Sequence, residues 1–274
     1  MQALKEADVP LFYISLILKP SSYFFRWYGS WFCRQLKNVT HFFVQDDATA
    51  QLLLSKGMTN VTVCGDTRFD RVAAIAKQAK PFPEVERFIH GRKCIIAGST
   101  WPPDECLLLD FLPQLPDDYC LIIAPHDISA SHIAQIRAQF PDHQLYTELN
   151  ADYSCKVLII NTIGILQKLY QYARFVYIGG GFGVNIHNIQ EPVTFGCPVV
   201  FGPKYTTFRE AVDLVELEGA FPVGNADDLR SVFRRLIDDE AFLAHASEVC
   251  VDYLNAQVGA TQSIMEGLEK SLFS

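Results

Sequence analysis

The sequence predicts an α/β protein built from parallel sheets, and three features predict it. Short apolar runs alternate with segments of helical periodicity along almost the whole chain, which is typical of strands covered on both faces. Apolar residues make up 49% of the 274 residues, enough for a large packed core. The segment around Pro81 and Pro83 divides the pattern into two series. We therefore predict two Rossmann-like domains, residues 1–88 and 89–274, the first with too few strands for a complete sheet.

The first series contains three predicted strands and two predicted helices. The run Val9–Leu18 predicts a buried parallel strand, because it is apolar almost throughout. A domain rarely begins so close to a buried strand, so we expect further sequence upstream. The other predicted elements are helix 22–37, strand His41–Val44, helix 47–56 and strand Val61–Cys64.

The second series alternates strands and helices from Lys93 onward. Pro192 places the start of one helix near Asn188, because proline is tolerated only in a first turn. Residues 207–210 form a capping-box pattern that opens the next helix, and Thr261 is predicted as the N-cap of the last helix. The predicted strands are Lys93–Ala97, Tyr119–Ala124, Val157–Asn161, Phe175–Ile178 and Pro198–Phe201, and further helices are predicted at 104–112, 129–139, 165–172 and 229–237.

Charge and cysteine content exclude several classes of protein. The formal net charge is −8, so we expect no nucleic-acid partner, which would need a clustered basic surface. The eight cysteines form no C-x-x-C pair, which indicates reduced core thiols of a cytosolic protein. No Asp-x-Asp motif is present, and we expect neither a metal ion nor a cofactor. The run Val9–Leu18 is too short to span a bilayer core of roughly 30 Å.

One edge of the second predicted sheet collects the residues best suited to bind a ligand. Ligands of open parallel sheets bind beyond the carboxyl ends of the strands. Hydroxyl groups, an imidazole, glycine backbone and an ammonium group follow these strands, a mixture that suits a phosphorylated ligand. The residues are Ser99, Thr100, His126, Gly164, Gly179, Gly180, Gly181 and Lys204.

The strongest local pattern runs from Gly179 to Glu191. Glycines let a backbone approach a phosphate, the following helix N-terminus offers free N–H groups, and Glu191 could accept both hydroxyls of a ribose. The same glycines could equally form only a tight strand–helix turn, with Glu191 capping Asn188. The pattern is neither G-x-G-x-x-G nor a Walker A motif, so both interpretations stay open.

The other residues at this edge also have purely structural interpretations. His126 could be a general base or a phosphate-binding cation, but a lone histidine is more often an ordinary strand-end residue. Ser99 and Thr100 could cap helix 104–112, and Lys204 could be an exposed loop lysine.

Residues 9–45 are basic and aromatic within an acidic protein. They contain no Asp or Glu and hold Lys19, Arg26, Arg34 and Lys37 with eleven aromatic residues. This composition suggests contact with an anionic membrane surface. A core helix with an exposed basic face explains the same pattern.

Several segments together resemble the bacterial 3-deoxy-D-manno-octulosonic acid (Kdo) transferases, in a form from the Bacteroidetes side of that family. The resemblance covers essentially the whole chain in order. It is carried by residues 19–28, 65–70, 98–101, 179–191, 201–203 and 208–211.

This resemblance implies a GT-B glycosyltransferase fold and a reaction. The family moves Kdo from CMP-Kdo to a lipid A precursor at the cytoplasmic face of the inner membrane, by inverting displacement. The resemblance begins inside the family's first domain. The glutamate used as catalytic base has no counterpart here, so we expect this chain alone not to transfer Kdo.

The resemblance also assigns roles to residues of the second domain. Gly179–Gly181 and the stretch from Asn188 to Glu191 would hold CMP, with Glu191 on the ribose. His126 matches the histidine of a Pro-Arg-His pattern, with Pro125 at the arginine position, and Gly164 would contribute backbone. Ser99 and Thr100 would face the donor cleft, with Lys204 nearby. The basic residues of 19–37 would lie on the acceptor side.

Two other functions stay open from the sequence alone. The chain could be a GT-B enzyme that uses a UDP-sugar, such as an N-acetylglucosamine transferase or epimerase. It could also be a module that binds a nucleotide without catalysis.

Overall fold

Strands and helices alternate along almost the whole chain in the computed structural model, which describes residues 1–140, 142–149 and 155–273. The described residues form ten strands, β1 (Phe12–Leu16), β2 (His41–Val44), β3 (Val61–Val63), β4 (Lys93–Thr100), β5 (Tyr119–Pro125), β6 (His143–Leu145), β7 (Val157–Ile159), β8 (Ala173–Ile178), β9 (Val199–Phe201) and β10 (Ala220–Pro222). They also form thirteen α-helices, α1 (Gln2–Glu6), α2 (Ser30–Leu36), α3 (Asp47–Leu54), α4 (Thr67–Lys77), α5 (Pro83–Ile89), α6 (Pro102–Phe111), α7 (Ala130–Gln139), α8 (Leu166–Leu169), α9 (Gln190–Thr194), α10 (Arg209–Glu216), α11 (Ala226–Asp238), α12 (Glu240–Gln257) and α13 (Ala260–Phe273).

The chain forms two compact units. One contains Met1–Arg71 and the chain from Ala256 onward, and the other contains Val72–Asn255. The divisions fall within α4 and α12. These units differ from the predicted domains 1–88 and 89–274, because α13 belongs to the first unit and residues 72–88 belong to the second.

The larger unit is built on a seven-stranded parallel sheet. The strand order is β10-β9-β8-β4-β5-β7-β6. Strands β5 to β7 therefore lie on one side of β4, with β6 at the edge, and strands β8 to β10 follow in order on the other side. The point where the order reverses, between β4 and β8, is where open α/β sheets bind ligands. Side chains of the central strands, such as Ile96, Ile122 and Val176, are fully buried, which explains their nearly continuous apolar sequence. The five strands predicted for this region are confirmed.

The smaller unit is built on a three-stranded parallel sheet in the order β1-β2-β3. Its central strand β2 places Phe42, Phe43 and Val44 in the core. The edge strand β1 is only half buried, and Ile14 and Ile17 lie on the surface. The prediction of a strand within Val9–Leu18 is confirmed, but the prediction that this strand is buried is wrong. An edge strand has a neighbouring strand on one side only, so more of its surface is exposed.

The predicted helix over residues 22–37 is also wrong. A short 3₁₀ turn spans Tyr23–Phe25, Arg26 is extended (φ −73°, ψ 160°), and α2 begins only at Ser30. A Cβ on Gly29 would lie 2.0 Å from the Tyr23 carbonyl oxygen, so the turn folds back tightly onto this glycine. The aromatic residues consequently do not form one helical stripe.

The structure corrects three local predictions. The segment around Pro81 and Pro83, predicted to divide the two series, leads into α5, which buries Val85 and Phe88. The Thr207 hydroxyl donates to Asn185 Oδ1 and does not cap α10. Asp70, not Thr261, caps the last helix: its carboxylate accepts the N–H groups of Gly259 and Thr261 at 2.7 and 2.6 Å.

Within the described residues, no helix is both long enough and apolar enough to cross a bilayer.

Candidate functional site

The predicted ligand-binding loops meet at the carboxyl edge of the seven-stranded sheet. The amide of His126, after β5, donates to the Thr100 carbonyl at the end of β4 (2.9 Å). The amide of Gly179, after β8, donates to the Gly98 carbonyl (2.9 Å), and the amide of Lys204, after β9, donates to the Gly181 carbonyl (3.1 Å). Backbone hydrogen bonds thus join four neighbouring loops into one surface.

The glycines after β8 allow close approach between these loops. A Cβ on Gly179 would lie 2.4 Å from the Ser99 carbonyl oxygen, and one on Gly181 would lie 2.7 Å from Gly202 Cα. Gly180 has a φ of +92°, and a Cβ there would lie 2.5 Å from the Asn185 carbonyl oxygen. These steric demands alone explain the three glycines, so a role in phosphate binding stays a prediction for them.

Asp104 holds the glycine loop in place. This carboxylate is 1% exposed and lies in the first turn of α6. Its Oδ2 accepts the amides of Trp101 (2.9 Å) and Gly180 (3.0 Å), and its Oδ1 accepts the Tyr177 hydroxyl (2.7 Å). Burial and the adjacent carboxylate raise the pKa of Tyr177, so the phenol stays a donor.

Thr100 is part of a second buried polar network. Its side chain is 0% exposed, and its hydroxyl donates to Glu105 Oε1 at 3.0 Å. Glu105 Oε2 lies 3.0 Å from His132 Nε2, and His132 Nδ1 lies 2.8 Å from the Asp127 carbonyl oxygen. The prediction that Thr100 faces the donor cleft is therefore wrong, because its hydroxyl points inward to a carboxylate.

Ser99 has a left-handed backbone conformation at this site. Its φ is +53°, a left-handed conformation that is uncommon outside glycine and is often found at functional sites. The residue is partly exposed, and its hydroxyl forms no hydrogen bond within the described part of the chain. Ser99 therefore remains a candidate for donor contact.

Three aromatic side chains form a stack at the exposed edge of the site. The rings of Trp101 and His187 are nearly parallel (13°), and the Trp101 indole N–H donates to His187 Nε2 at 3.0 Å. The His126 ring stacks on both, with ring centroids 4.7 Å from Trp101 and 4.4 Å from His187. Two imidazolium cations at 4.4 Å would repel by between about 1 and 4 kcal/mol, depending on the effective dielectric. The contact with His126 therefore disfavours the charged form of His187.

The environment of His187 disfavours its charged form. Burial lowers the pKa of His187, the neighbouring His126 lowers it further, and Asp104 acts in the opposite direction. One edge of the ring lies against Gly180, since a Cβ there would be 3.0 Å from His187 Cδ2.

Asn188 and Glu191 lie at the start of α9, which has only five residues. The Asn188 side-chain oxygen accepts the amide of Gln190, the first residue of this helix, at 3.0 Å. Glu191 lines a small surface depression with Val72, Ile75, Gln167 and Phe195. It also lies near Tyr170, whose pKa is raised by burial and then by Glu191. A helix this short offers a weaker dipole than the sequence suggested.

The remaining predicted site residues lie at or near the same edge. Lys204 is exposed, and its ammonium group donates to the Gly183 carbonyl, which fixes the side chain across the glycine loop. Gly164 is exposed, has a φ of +88°, and has no heavy atom within 4 Å of its Cβ position. The segment that follows Gly164 packs against β4: the Tyr170 hydroxyl lies 2.2 Å from the position that a Cβ on Gly98 would take.

The basic residues of the smaller unit are surface residues. Lys19, Arg26, Arg34 and Lys37 are all exposed. Trp27 is 92% exposed and Trp31 is 56% exposed, and Tyr23, Tyr28 and Phe32 are also on the surface. The Arg26 guanidinium donates to the Tyr28 hydroxyl (2.9 Å) and the Ser21 carbonyl (3.0 Å). Cations and aromatic rings thus share one stretch of surface chain.

Sequence reasoning missed four residues of this site, namely Asp104, Glu105, His132 and His187. Two acidic residues in the first turn of a helix usually stabilise its N-terminus, which gave no reason to single out Asp104 and Glu105. The Trp101–His187 contact joins residues that are far apart in the sequence, so no local pattern could reveal it. Within the described residues, no group of three or more His, Cys, Asp or Glu side chains could hold a metal ion.

Comparison with known proteins identifies relatives by sequence. The chain is 28% identical over 187 residues to the 3-deoxy-D-manno-octulosonic acid transferase of Aquifex aeolicus, an alignment that covers 66% of this chain and 49% of the relative. It is 22% identical over 213 residues to the transferase of the same name from Rickettsia typhi, covering 74% of this chain and 45% of the relative. The chain thus spans about half the length of these relatives. No protein-family profile matches it.

Comparison with solved structures identifies the fold. The C-terminal CMP-Kdo binding domain of WaaA from Acinetobacter baumannii superposes with a TM-score of 0.53 at 21% identity, covering 68% of this chain and 99% of that domain. UDP-GlcNAc 2-epimerase from Neisseria meningitidis bound to UDP-GlcNAc superposes with a TM-score of 0.67 at 17% identity, covering 98% of this chain and 72% of that enzyme. The fold is therefore of the GT-B type, and in sequence the chain is similar to 3-deoxy-D-manno-octulosonic acid (Kdo) transferases over about two thirds of its length.

Proposed function

We propose that this chain carries the donor site of a Kdo transferase, an enzyme that moves Kdo from CMP-Kdo to a lipid A precursor in lipopolysaccharide synthesis. Two similarities carry the proposal. The chain is homologous to Kdo transferases over 66% of its length, and 99% of a CMP-Kdo binding domain superposes on it. We propose that the reaction takes place at the cytoplasmic face of the inner membrane.

The carboxyl edge of the larger sheet has the chemistry that a departing CMP needs. In an inverting displacement, an acceptor hydroxyl attacks the anomeric carbon as the bond to the CMP phosphate oxygen breaks. Negative charge then grows on the phosphate, and preorganised donors lower the barrier by stabilising it. His126 is the exposed imidazole of this edge, and Lys204 is the nearby cation. Both suit a phosphate.

Each remaining part of the donor has a candidate partner. Glu191 would accept the ribose hydroxyls, and Asn188 and Gly164 would contribute polar contacts from neighbouring loops. The backbone of Gly179–Gly181 would lie against the phosphate, and Ser99 would face the sugar. Thr100 is left out of this set, because its hydroxyl is committed to Glu105.

A UDP-sugar enzyme is the second candidate, because the epimerase from Neisseria meningitidis superposes over 98% of this chain. Calorimetric titration of the full chain with CMP and with UDP separates the two. We expect CMP to bind at least about tenfold more tightly, a difference of about 1.4 kcal/mol. Equal or tighter binding of UDP would favour the second candidate, and absence of binding by both nucleotides would contradict both.

We also propose that the exposed aromatic and basic residues of 19–37 contact an anionic membrane surface on the acceptor side. A protein of net charge −8 is repelled by anionic lipid unless it concentrates cations locally. Lys19, Arg26, Arg34 and Lys37 supply four cations, each worth on the order of 1 kcal/mol near such a surface. The exposed tryptophans suit the headgroup level, where aromatic rings are half buried.

A further inference from the structure

Trp101 and His187 form a hydrogen bond that has only one possible direction. The indole N–H can donate but cannot accept, and it lies 3.0 Å from His187 Nε2. His187 Nε2 must therefore accept, which means that it carries no proton. The ring is then neutral, with its proton on Nδ1, because a neutral imidazole protonates one nitrogen only.

We propose that Trp101 is a positioning residue that fixes His187 as the neutral Nδ1–H tautomer, so that this N–H is available to the phosphate of a bound nucleoside monophosphate. This inference rests on the proposed function for its ligand. Its structural part, the tautomer, rests on the Trp101–His187 contact alone. The Nδ1 atom makes no hydrogen bond within the described residues, so the donor is available.

The geometry resists every other protonation state of His187. Protonation of Nε2 would set two N–H groups against each other at 3.0 Å and would place a second cation against His126 whenever His126 is charged. Within the described residues, the titratable groups that act on the ring are His126, whose ring stacks on it, and Asp104, which accepts the amide of the adjacent Gly180. Burial and His126 lower the pKa of His187, and Asp104 partly opposes them.

His187 and His126 would contribute differently to phosphate binding. His187 offers a neutral donor from a fixed ring, held at one edge by Trp101 and flanked by Gly180. His126 is exposed, and its ring stacks on that of His187. A phosphate would thus meet one fixed neutral donor at His187, with the His126 ring beside it.

Long-range ¹⁵N–¹H NMR of the labelled full chain tests the tautomer without any variant. At pH 7.5 we expect His187, assigned by the loss of its signals in His187→Asn, to show a protonated Nδ1 and an unprotonated Nε2. A protonated Nε2 in the parent protein would overturn the proposal.

Trp101→Phe tests the cause, because it keeps an aromatic ring but removes the N–H. We expect the His187 tautomers to mix and its pKa to rise by about 0.5–1 pH unit, the equivalent of one lost hydrogen bond. Trp31→Phe, the same change at an exposed site of the smaller unit, is the matched control and should alter neither. An unchanged tautomer and titration in folded Trp101→Phe would also overturn the proposal.

CMP binding separates this inference from the proposed function. We expect CMP to shift the His187 Nδ1 signal in the parent, and Trp101→Phe to bind CMP about 3- to 10-fold more weakly. If the parent shows the expected tautomer but binds no CMP, the proposed function fails while the role of Trp101 stands. If CMP binds without moving the Nδ1 signal, His187 does not donate to the phosphate and that part of the proposal fails.

Discussion

Asp104 accepts a hydrogen bond from the backbone amide of Gly180 at 3.0 Å, although 76 residues separate them. The same carboxylate oxygen accepts the amide of Trp101 at 2.9 Å. One buried acid therefore fixes the turn after β4 relative to the glycine loop after β8, and these two loops flank the point where the strand order reverses. The shape of the candidate site depends on this contact.

Two substitutions of Asp104 should show whether its hydrogen bonds or its negative charge contribute more to stability. Asp104→Ala leaves the Tyr177 hydroxyl and two amides without their acceptor, and we expect a loss of at least about 3 kcal/mol in the free energy of unfolding. Asp104→Asn can keep all three contacts, since its oxygen can accept both amides while its NH₂ donates to the Tyr177 oxygen, so we expect a loss of about 1–2 kcal/mol. Urea unfolding measures both values.

Asp110→Asn is the control for these variants, since Asp110 lies on the same helix but is exposed. It should change stability by less than about 0.5 kcal/mol. Equal losses for Asp104→Ala and Asp110→Asn would show that Asp104 does not organise the loops.

Glu191→Gln tests whether Glu191 binds the ribose. A charge-assisted hydrogen bond would be lost, so we expect CMP binding to weaken by about 1–3 kcal/mol with little change in melting temperature. Calorimetry and thermal unfolding of the same sample measure the two quantities, with exposed Glu216→Gln as the control. A lower melting temperature with unchanged affinity per folded molecule would mean that Glu191 is structural.

Charge reversal at Arg26 and Arg34 tests the membrane contact. The double change to Glu removes two attractions and adds two repulsions, so co-sedimentation with vesicles containing phosphatidylserine should fall, most strongly at low salt. CMP binding should not change, because the candidate nucleotide site lies in the other unit. Charge reversal at the exposed residues Lys77 and Arg137 is the control. An equal effect of both double variants would show that the attraction depends only on the net charge of the protein.

Asp70 should make the smaller unit less stable in acid. Burial acts to raise the pKa of Asp70, but hydrogen bonds from Thr261 and Gly259 outweigh it and lower the pKa. A carboxylate with a depressed folded-state pKa stabilises the fold above its unfolded pKa of about 4, and that stability is lost as the pH falls through the folded value. Asp70→Asn should lose about 0.5–2 kcal/mol at pH 7, the usual value of an N-cap.

The difference between the parent and Asp70→Asn should shrink as the pH falls below about 5. Urea unfolding between pH 3 and pH 7 measures this trend, with exposed Asp252→Asn as the control. A difference that stays constant over the whole range would show that the charge of Asp70 does not contribute.

The larger sheet could be predicted from the sequence because its strands are buried on both faces. Runs such as Cys94–Ala97 and Cys120–Ala124 are apolar without interruption, and the structure places them at the centre of the sheet. The loops that follow these strands consequently lie where the sequence placed them. The order of neighbouring strands brings Ser99, His126 and the glycines to one edge, as predicted.

The details of the site could not be predicted, because they depend on contacts between distant residues. Thr100 looked like a cleft residue from its position after a strand, but its hydroxyl points to Glu105 across the first turn of α6. His187 looked like part of a loop, and its contact with Trp101 joins residues that lie 86 positions apart. The segment 22–37 has helical spacing, yet Gly29 packs against the Tyr23 carbonyl and interrupts the helix.

Chemical-shift mapping of CMP on the full labelled chain tests the central claim, that the carboxyl edge of the seven-stranded sheet is a cytidine-nucleotide site. We predict that CMP shifts the amide signals of Ser99, His126, Gly179–Gly181 and Glu191, while the signals of β1 to β3 stay in place. Shifts confined to the smaller unit, or none at saturating CMP, would contradict it.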